Sequence, residues 1–324
     1  MKVLVLGRTI PRSAEQSVAR ALTRLGHRVV AIHDRKVGQF GDRVAAAWLG
    51  MRIRAFQPDL VFFGKALGIS PETLREVCRG RRSAMWYHDI RIPPDETIVA
   101  RARVVDTVFL VPGGQCREYE ALGVRRALFL PEAVDPTFQD RPAPPDAAFA
   151  SDVAFIGTGY DEYRADLLMR LSRDFRIRVW GPGWERWSRD LDWAGRPVHG
   201  LDFARVCSST KVVLGLDNGE TARTPVYGYS SDRMWKTIAV GGFYLGPGTP
   251  GVRDVLLRDG VHCAFHADEE ELRTKLDLYL GDDSTRDRIR RAGQEFVVSH
   301  HTFDHRVQNI LHDEPFRNPL DAQE

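Results

Sequence analysis

Short, nearly continuous apolar runs alternate with amphipathic segments along almost the whole chain, and the alternation stops once and restarts. In the first half the runs are KVLVLG (2–7), HRVVAIH (27–33), DLVFFG (59–64), SAMWYHD (83–89), VDTVFLV (105–111) and RRALFLP (125–131). Between them lie segments with helical spacing: SAEQSVARALTRLG (13–26), a region around 41–56, one opening at Ser70-Pro71-Glu72, and two near 94–103 and 113–122. Apolar runs of this length without polar alternation read as strands buried on both faces. Separated by helices, they predict a parallel sheet covered on both sides.

The stretch PEAVDPTFQDRPAPPDAAFASD (131–152) holds five prolines and neither period, which predicts a linker. The pattern then resumes with DVAFIG (152–157), a helix over 161–173, IRVWG (177–181), a helix near 201–208 and KVVLGL (211–216). A helix over 231–240, the strand GFYLG, the strand VHCAFH (261–266) and polar-faced helices over 268–280 and 283–299 follow. The expected organisation is two consecutive doubly wound α/β domains with parallel sheets, residues 1–133 and 152–310. A proline-rich linker, 134–151, joins them, and a polar tail, 311–324, follows a last helix that crosses back to the first domain.

Composition bears mainly on partners. Lys and Arg number 46 against 44 Asp and Glu, so no global field points to nucleic acid or an anionic membrane. Cys78, Cys116, Cys207 and Cys263 lie far apart with no CxxC pair, which argues against a metal knuckle and against disulfides. The apolar run after Lys2 is only four residues, too short for a signal-peptide core. No run approaches the roughly 20 residues that span a bilayer. A soluble, cytoplasmic protein without a transmembrane segment is expected.

Ligands of doubly wound sheets bind beyond the carboxyl ends of the strands, and two such domains make the cleft between them the expected site. The first strand runs into GRTIPRS and lacks the G-x-G-x-x-G of a dinucleotide site. Arg8 and Thr9 are either ligand contacts or part of a plain turn. The fourth strand ends in WYHDIR, where a buried strand runs into His88 and Asp89. That pair is either satisfied by loop hydrogen bonds or used in chemistry.

In IGTGYDEYR, Gly157 and Gly159 flank Thr158 just before a helix. This suits backbone N–H groups approaching a phosphate, although Asp161 and Glu162 in the first turn suit the dipole without a ligand. WGPGWERW (180–187) offers either a flat wall for a base or sugar or local packing of its tryptophans. In SSDRMWK, Ser230, Ser231 and Asp232 are all good N-cap residues. They leave Arg233 and Lys236 at the amino end of a helix, where the dipole disfavours cations. Either an anion such as a diphosphate sits among them, or they form a solvated face.

The second half resembles the CgeB-type glycosyltransferases, a group within the GT-B superfamily. The matching stretches, in order, are SDVAFIGTGYDEYRADLL, RVWGPGW, SSTKVVLGL, DRMWKTIAVGGFYL, DGVHCAFHADEEELRTKLDLYL and HHTFDHRV. The last is similar to a His-Thr-aromatic-x-x-Arg ending, here His301, Thr302, Phe303 and Arg306.

This resemblance implies a GT-B fold of two facing Rossmann-like domains. The second would hold a nucleotide-diphosphate sugar as co-substrate and the first an acceptor, small molecule or glycan, with no metal and no further cofactor. It also implies that Gly157, Thr158, Gly159, Ser231, Arg233 and Lys236 hold the diphosphate, helped by Arg164 and Lys211. Trp180, Gly181 and Asp232 would lie at the base or ribose. His88 resembles the histidine that reaches the donor sugar in retaining relatives, and Asp89 is the first inverting base to test.

One departure stands out: the R-x-F-E-like motif reads Arg233-Met234-Trp235-Lys236. Lysine replaces the glutamate that holds the ribose hydroxyls, and lysine accepts no hydrogen bond. Either Asp232 or Asp217 takes that role, or the nucleotide is held differently, or donor binding is lost. The expected function is therefore a retaining, metal-independent glycosyltransferase. The alternatives are a glycosyltransferase-like protein that binds a nucleotide or glycan without turnover, and a GT-B enzyme such as an epimerase that cleaves the same bond without an acceptor.

Overall fold

The protein, a computed structural model, is described over residues 1–322. Of the tail expected at 311–324, residues 323 and 324 lie outside the described residues. The chain divides into two compact units. Unit 1 comprises Met1–Pro131 and Phe303–Arg317, and unit 2 comprises Glu132–Thr302 and Asn318–Glu324.

Unit 1 runs β1 (Lys2–Gly7), α1 (Ala14–Arg24), β2 (Arg28–His33), α2 (Asp34–Gly38), α3 (Asp42–Phe56), β3 (Leu60–Phe63) and α4 (Pro71–Cys78). It continues with β4 (Arg82–Tyr87), α5 (Glu96–Ala102), β5 (Thr107–Leu110), α6 (Cys116–Ala121) and β6 (Ala127–Phe129). The strands form a parallel sheet in the order β2-β1-β3-β4-β5-β6. The central runs are buried completely (Val3, Val5, Val61, Phe63, Met85 and Phe109), as a sheet covered on both faces requires. Ser13 caps α1 and Ser70 caps α4, whose Pro71 fills the first turn.

Unit 2 runs β7 (Ser151–Ile156), α7 (Glu162–Leu171), β8 (Ile177–Trp180), β9 (Asp192–Trp193), α8 (Leu201–Ser209), β10 (Thr210–Leu214) and α9 (Gly219–Arg223). Then come α10 (Asp232–Ala239), β11 (Tyr244–Pro247), β12 (Ala264–His266), α11 (Glu269–Gly281) and α12 (Asp283–His300). Its parallel sheet has the order β12-β11-β10-β7-β8-β9. The sequence pattern missed β9 and α9, both too short to carry a period. It also missed α2, while the region expected around 41–56 is α3, preceded by Gly41 at φ 87°.

The last helix, α13 (Phe303–His312), belongs to unit 1 and packs on α1. The Arg24 guanidinium grips Asp304 at 2.5 Å, and the buried Arg306 donates Nε–H to the Pro131 carbonyl at 2.9 Å. The proline-rich stretch begins within unit 2. Val134 N–H donates to the His301 carbonyl at 3.0 Å, and Asp135 and Asp140 are buried.

In both sheets the chain winds outward one way from its first strand and then returns to that strand's other side. The reversal falls between β1 and β3 in unit 1 and between β7 and β10 in unit 2. Such a reversal leaves a crevice at the carboxyl ends of the two strands, because their following connections diverge to opposite faces.

Candidate functional site

The crevice of unit 2 is built around Phe155, near the end of β7. The Arg233 guanidinium, from the first turn of α10, lies 4.4 Å from the centre of its ring, and the Arg164 guanidinium, from α7, lies 5.4 Å away. Arg164 also bridges the two loops of the crevice. Its Nη1 donates to the Thr158 carbonyl at 3.1 Å and its Nη2 to the Leu216 carbonyl at 3.4 Å.

Two buried nitrogens here, Arg164 Nε and Arg233 Nη1, have no hydrogen-bond partner among the described residues. A buried unpaired donor costs about 1–3 kcal/mol, more when charged, so such a pair marks a place for an acceptor. Burial lowers the Arg164 pKa to about 10, with the neighbouring Arg233 charge adding to the effect. Burial likewise lowers Arg233. Asp217 is the nearby carboxylate, and burial raises its pKa against the pull of Arg233 and Arg164. Asp217 acts on both arginines, Asp161 acts on Arg164 and Asp232 on Arg233, and burial still lowers both guanidiniums.

The glycine turn supplies space rather than donors. Its N–H groups are already used: Gly157 donates to the Trp180 carbonyl at 2.8 Å and Gly159 to the Pro182 carbonyl at 2.9 Å. This corrects the expectation that these amides face a phosphate. The adjoining WGPGW turn comes so close that they pair with it instead. A Cβ on Gly157 would stand 2.8 Å from the Phe155 ring and 3.1 Å from Arg233 Nη2, so only glycine keeps the arginine in place. Gly181, at φ 136°, packs directly against the Gly157 carbonyl.

Three indoles hold this turn. Trp184 donates to the Gly157 carbonyl at 2.8 Å, Trp187 to Gly159 at 3.2 Å and Trp193 to Gly181 at 3.0 Å. The tryptophans are thus braces for the loop rather than an open wall. Trp180 lies in the core, stacked on Phe149 at 5.5 Å.

The amino end of α7 is also occupied. Asp161 caps it through the Arg164 amide at 2.9 Å and reaches the Gly219 amide at 3.1 Å with its other oxygen. The amino end of α10 differs: Ser231 is its N-cap by conformation, yet its side chain makes no capping bond. Ser230 instead accepts from the Trp235 indole at 2.9 Å. The helix end beside Arg233 is therefore the one left to serve an anion.

Two expected donor contacts are placed elsewhere. Lys211 sits at the start of β10, the end opposite the crevice, 3.6 Å from Asp152. Lys236 does not share Arg233's surroundings. Its ammonium bonds Asp232 at 2.6 Å, where burial would lower its pKa but Asp232, then Asp140 and Glu132, raise it instead. That network ties the proline-rich segment to α10. It also takes up Asp232, which was expected at the ribose.

A cavity of about 180 Å³ adjoins the crevice, lined by Tyr163, Asp217, Pro247, Thr249 and His266 among others. Asp217 borders a second small recess together with Ser230, Ser231 and Tyr244. Among the described residues no group of three His, Cys, Asp or Glu side chains is arranged to hold a metal.

The crevice of unit 1 differs. The Glu15 carboxylate, from the first turn of α1, lies against Gly7 and Gly64, within 3 Å of where a Cβ on Gly7 would stand. His88 and Asp89 follow β4. The His88 ring lies 4.3 Å from the Trp86 ring, and Asp89 is ion-paired with Lys65 in the loop after β3. Burial pushes the adjacent Tyr87 hydroxyl upward in pKa. Sequence reasoning passed over Glu15, Phe155 and Trp193, whose roles depend on which strand ends meet. The one available signal was their place within a turn or so of a strand end.

Comparison with known proteins accords with this architecture. Residues 164–312 match a family model described as glycosyl transferase-like. Among curated proteins, none matches in sequence. The chain is similar in fold to Anabaena Alr3699/HepE, solved in complex with UDP-glucose: TM-score 0.68, 13% identity, covering 97% of this chain and 99% of that one. It is also similar to the sucrose-phosphate synthase tll1590 of Thermosynechococcus elongatus, with TM-score 0.67, 12% identity and 100% of both chains covered. A glycosyltransferase from Rickettsia africae ESF-5 gives TM-score 0.66, 11% identity, 96% of this chain and 97% of that chain. The fold is GT-B: two doubly wound parallel α/β units, as in these structures. No helix of the described residues is long and apolar enough to cross a membrane.

Proposed function

We propose that the protein is a glycosyltransferase whose unit 2 holds a nucleotide-diphosphate sugar by its diphosphate, at the crevice between β7 and β10. The observation that carries this reading is the pair of guanidiniums on Phe155, each with a buried nitrogen lacking a partner. A diphosphate accepts from both and also fits the uncapped amino end of α10.

In the transfer, the bond from the anomeric carbon to the β-phosphate oxygen breaks and its electron pair stays with the phosphate. The acceptor oxygen bonds the anomeric carbon and passes its proton to the departing diphosphate. Charge grows on the leaving diphosphate, so Arg233 and Arg164, fixed beforehand by packing, lower the barrier without reorganising. Asp217 limits how far the two arginines repel each other while the site is empty. Thr158 and Ser231 are the proposed hydroxyl contacts to the phosphates, and Gly181 the proposed contact near the nucleoside.

His88 is the proposed contact to the transferred sugar in a retaining reaction, and Asp89 orients that loop through Lys65. Retention and independence from metal rest on the resemblance to CgeB-type enzymes. Uridine diphosphate is the first donor nucleotide to try, because Alr3699/HepE was solved with UDP-glucose.

A second reading, binding without turnover, is favoured by Lys236, which stands where relatives carry a ribose-binding glutamate. One experiment separates the two. Calorimetry with UDP and a UDP-release assay with UDP-sugars are run on the wild type and on Arg233→Ala. Binding with release supports the transferase, and binding without release supports the second reading. No binding of any nucleoside diphosphate overturns both.

A further inference from the structure

We propose that the outer face of α2 and α3 in unit 1 docks onto the surface of an anionic lipid bilayer. Helix α3 has two apolar stripes. Ala45, Leu49 and Ile53, four residues apart, are buried in the core of unit 1. On the other side Val44, Trp48 and Met51 are 55%, 36% and 54% exposed, and Phe40, just before the helix, is 66% exposed. A surface helix of a soluble domain normally carries a polar outer face. Here the uncovered side chains continue into a groove of about 430 Å³ floored by Ile32 and Val37. Contiguous exposed apolar surface of this kind marks an interaction site.

Charge identifies the partner. Residues 34–54 carry five cations (Arg35, Lys36, Arg43, Arg52 and Arg54) and two carboxylates, a surplus of three in a chain whose net charge is +2. All five cations are exposed. Of the two carboxylates, Asp34 is buried and accepts from the Gly68 amide at 2.9 Å, while Asp42 is exposed and accepts from the Thr73 hydroxyl at 2.9 Å. Lys36 and Arg52 rim the groove, and the Arg52 guanidinium lies 5.6 Å from the centre of the Trp48 ring.

Exposed tryptophan, phenylalanine and aliphatic side chains ringed by lysine and arginine are the composition that settles at the headgroup–acyl boundary. A second copy of this face would bring like charges together. Val44 and Met51 have no use on a nucleic acid, which would stack only on the aromatic rings. The near-neutral total charge concealed this patch, because the rest of the chain sums to a single negative charge. The contact is peripheral, with the side chains inserting and the helix lying in the interfacial plane.

The test is co-sedimentation of the full chain with vesicles of phosphatidylcholine, with and without phosphatidylglycerol, at low and high salt. Binding is expected only with phosphatidylglycerol, and high salt should weaken it. Lys36→Glu and Arg52→Glu should each weaken it about fivefold or more, the loss expected for one cation near an anionic surface. Phe40→Ser with Met51→Ser, both well exposed and so harmless to the fold, should weaken it about tenfold. Arg288→Glu, an exposed reversal in unit 2, should bind as the wild type does.

The proposal is overturned if phosphatidylglycerol makes no difference, or if Arg288→Glu loses as much as Lys36→Glu. It is also overturned if the protein forms a dimer by sedimentation velocity that Phe40→Ser with Met51→Ser abolishes.

Discussion

At the crevice of unit 2, two guanidiniums share the ring of Phe155; at the crevice of unit 1, the Glu15 carboxylate covers Gly7 and Gly64. Both crevices arise from the same event, a parallel sheet reversing its winding beside its first strand. Their chemistry differs because of the helices that follow. Glu15 stands in the first turn of α1, where a carboxylate suits the dipole, so that crevice supplies its own anion. Arg233 stands in the first turn of α10 against the dipole, beside an N-cap serine that does not cap. That arrangement is costly unless a ligand brings negative charge. One winding thus yields a closed site and an open one.

The largest effect expected is on turnover. His88→Ala should lower kcat about a hundredfold, as the loss of a positioned transition-state contact does, while calorimetry finds UDP affinity within about twofold of wild type. An equal loss in affinity would break the contrast between the units.

Next, Arg233→Ala should weaken UDP binding about tenfold to a hundredfold, the worth of a charge-assisted hydrogen bond of about 1.5–3 kcal/mol. Isothermal titration reads this directly. An unchanged affinity would mean the open crevice is not the anion site.

A third effect concerns stability and pH. Burial lifts the Asp140 carboxyl from 3.8 to about 6, against the pull of Lys236. Its folded pKa is the higher one, so the folded state holds the proton more tightly. The resulting penalty is full above pH 6, shrinks as pH falls through 6, and is gone below about 4. Asp140→Asn should therefore stabilise the protein near neutrality by up to about 3 kcal/mol, with the gain fading toward pH 4 in urea melts. A gain that grew on acidification would refute the assignment.

Smaller still, Trp193→Phe should cost about 1 kcal/mol by freeing the Gly181 carbonyl, with UDP affinity falling in parallel. Glu15→Gln should shift UDP affinity least, by less than about twofold, and a larger change would show that the two crevices are not independent in charge.

Much of the plan was legible in the chain. The strands β1, β3, β4, β5, β7, β8 and β10 announce themselves as apolar runs, because a strand buried on both faces tolerates no polar alternation. Gly157, Arg164 and Arg233 were also legible as candidates, lying near strand ends or at a helix start. The roles of the glycine amides and of Lys236 were not. Whether an amide is free depends on which loop stands opposite, and the WGPGW turn had already claimed Gly157 and Gly159. Lys236 looked like Arg233's companion from a spacing of three. Its ammonium pairs instead with Asp232, and Asp140, nearly a hundred residues away in sequence, adds to that pull.

By itself, then, the sequence determined the local terms: which runs are strands, which residues cap or break helices, and that two α/β units follow each other. Those depend on periodicity and on neighbours a few positions away. Tertiary structure alone decided which charges are already matched and which await a partner: Lys236 against Asp232 and Asp140, the two arginines on Phe155, and the cations around Trp48. Electrostatic pairing depends on distance in space and on exclusion of water, and neither is written along the chain.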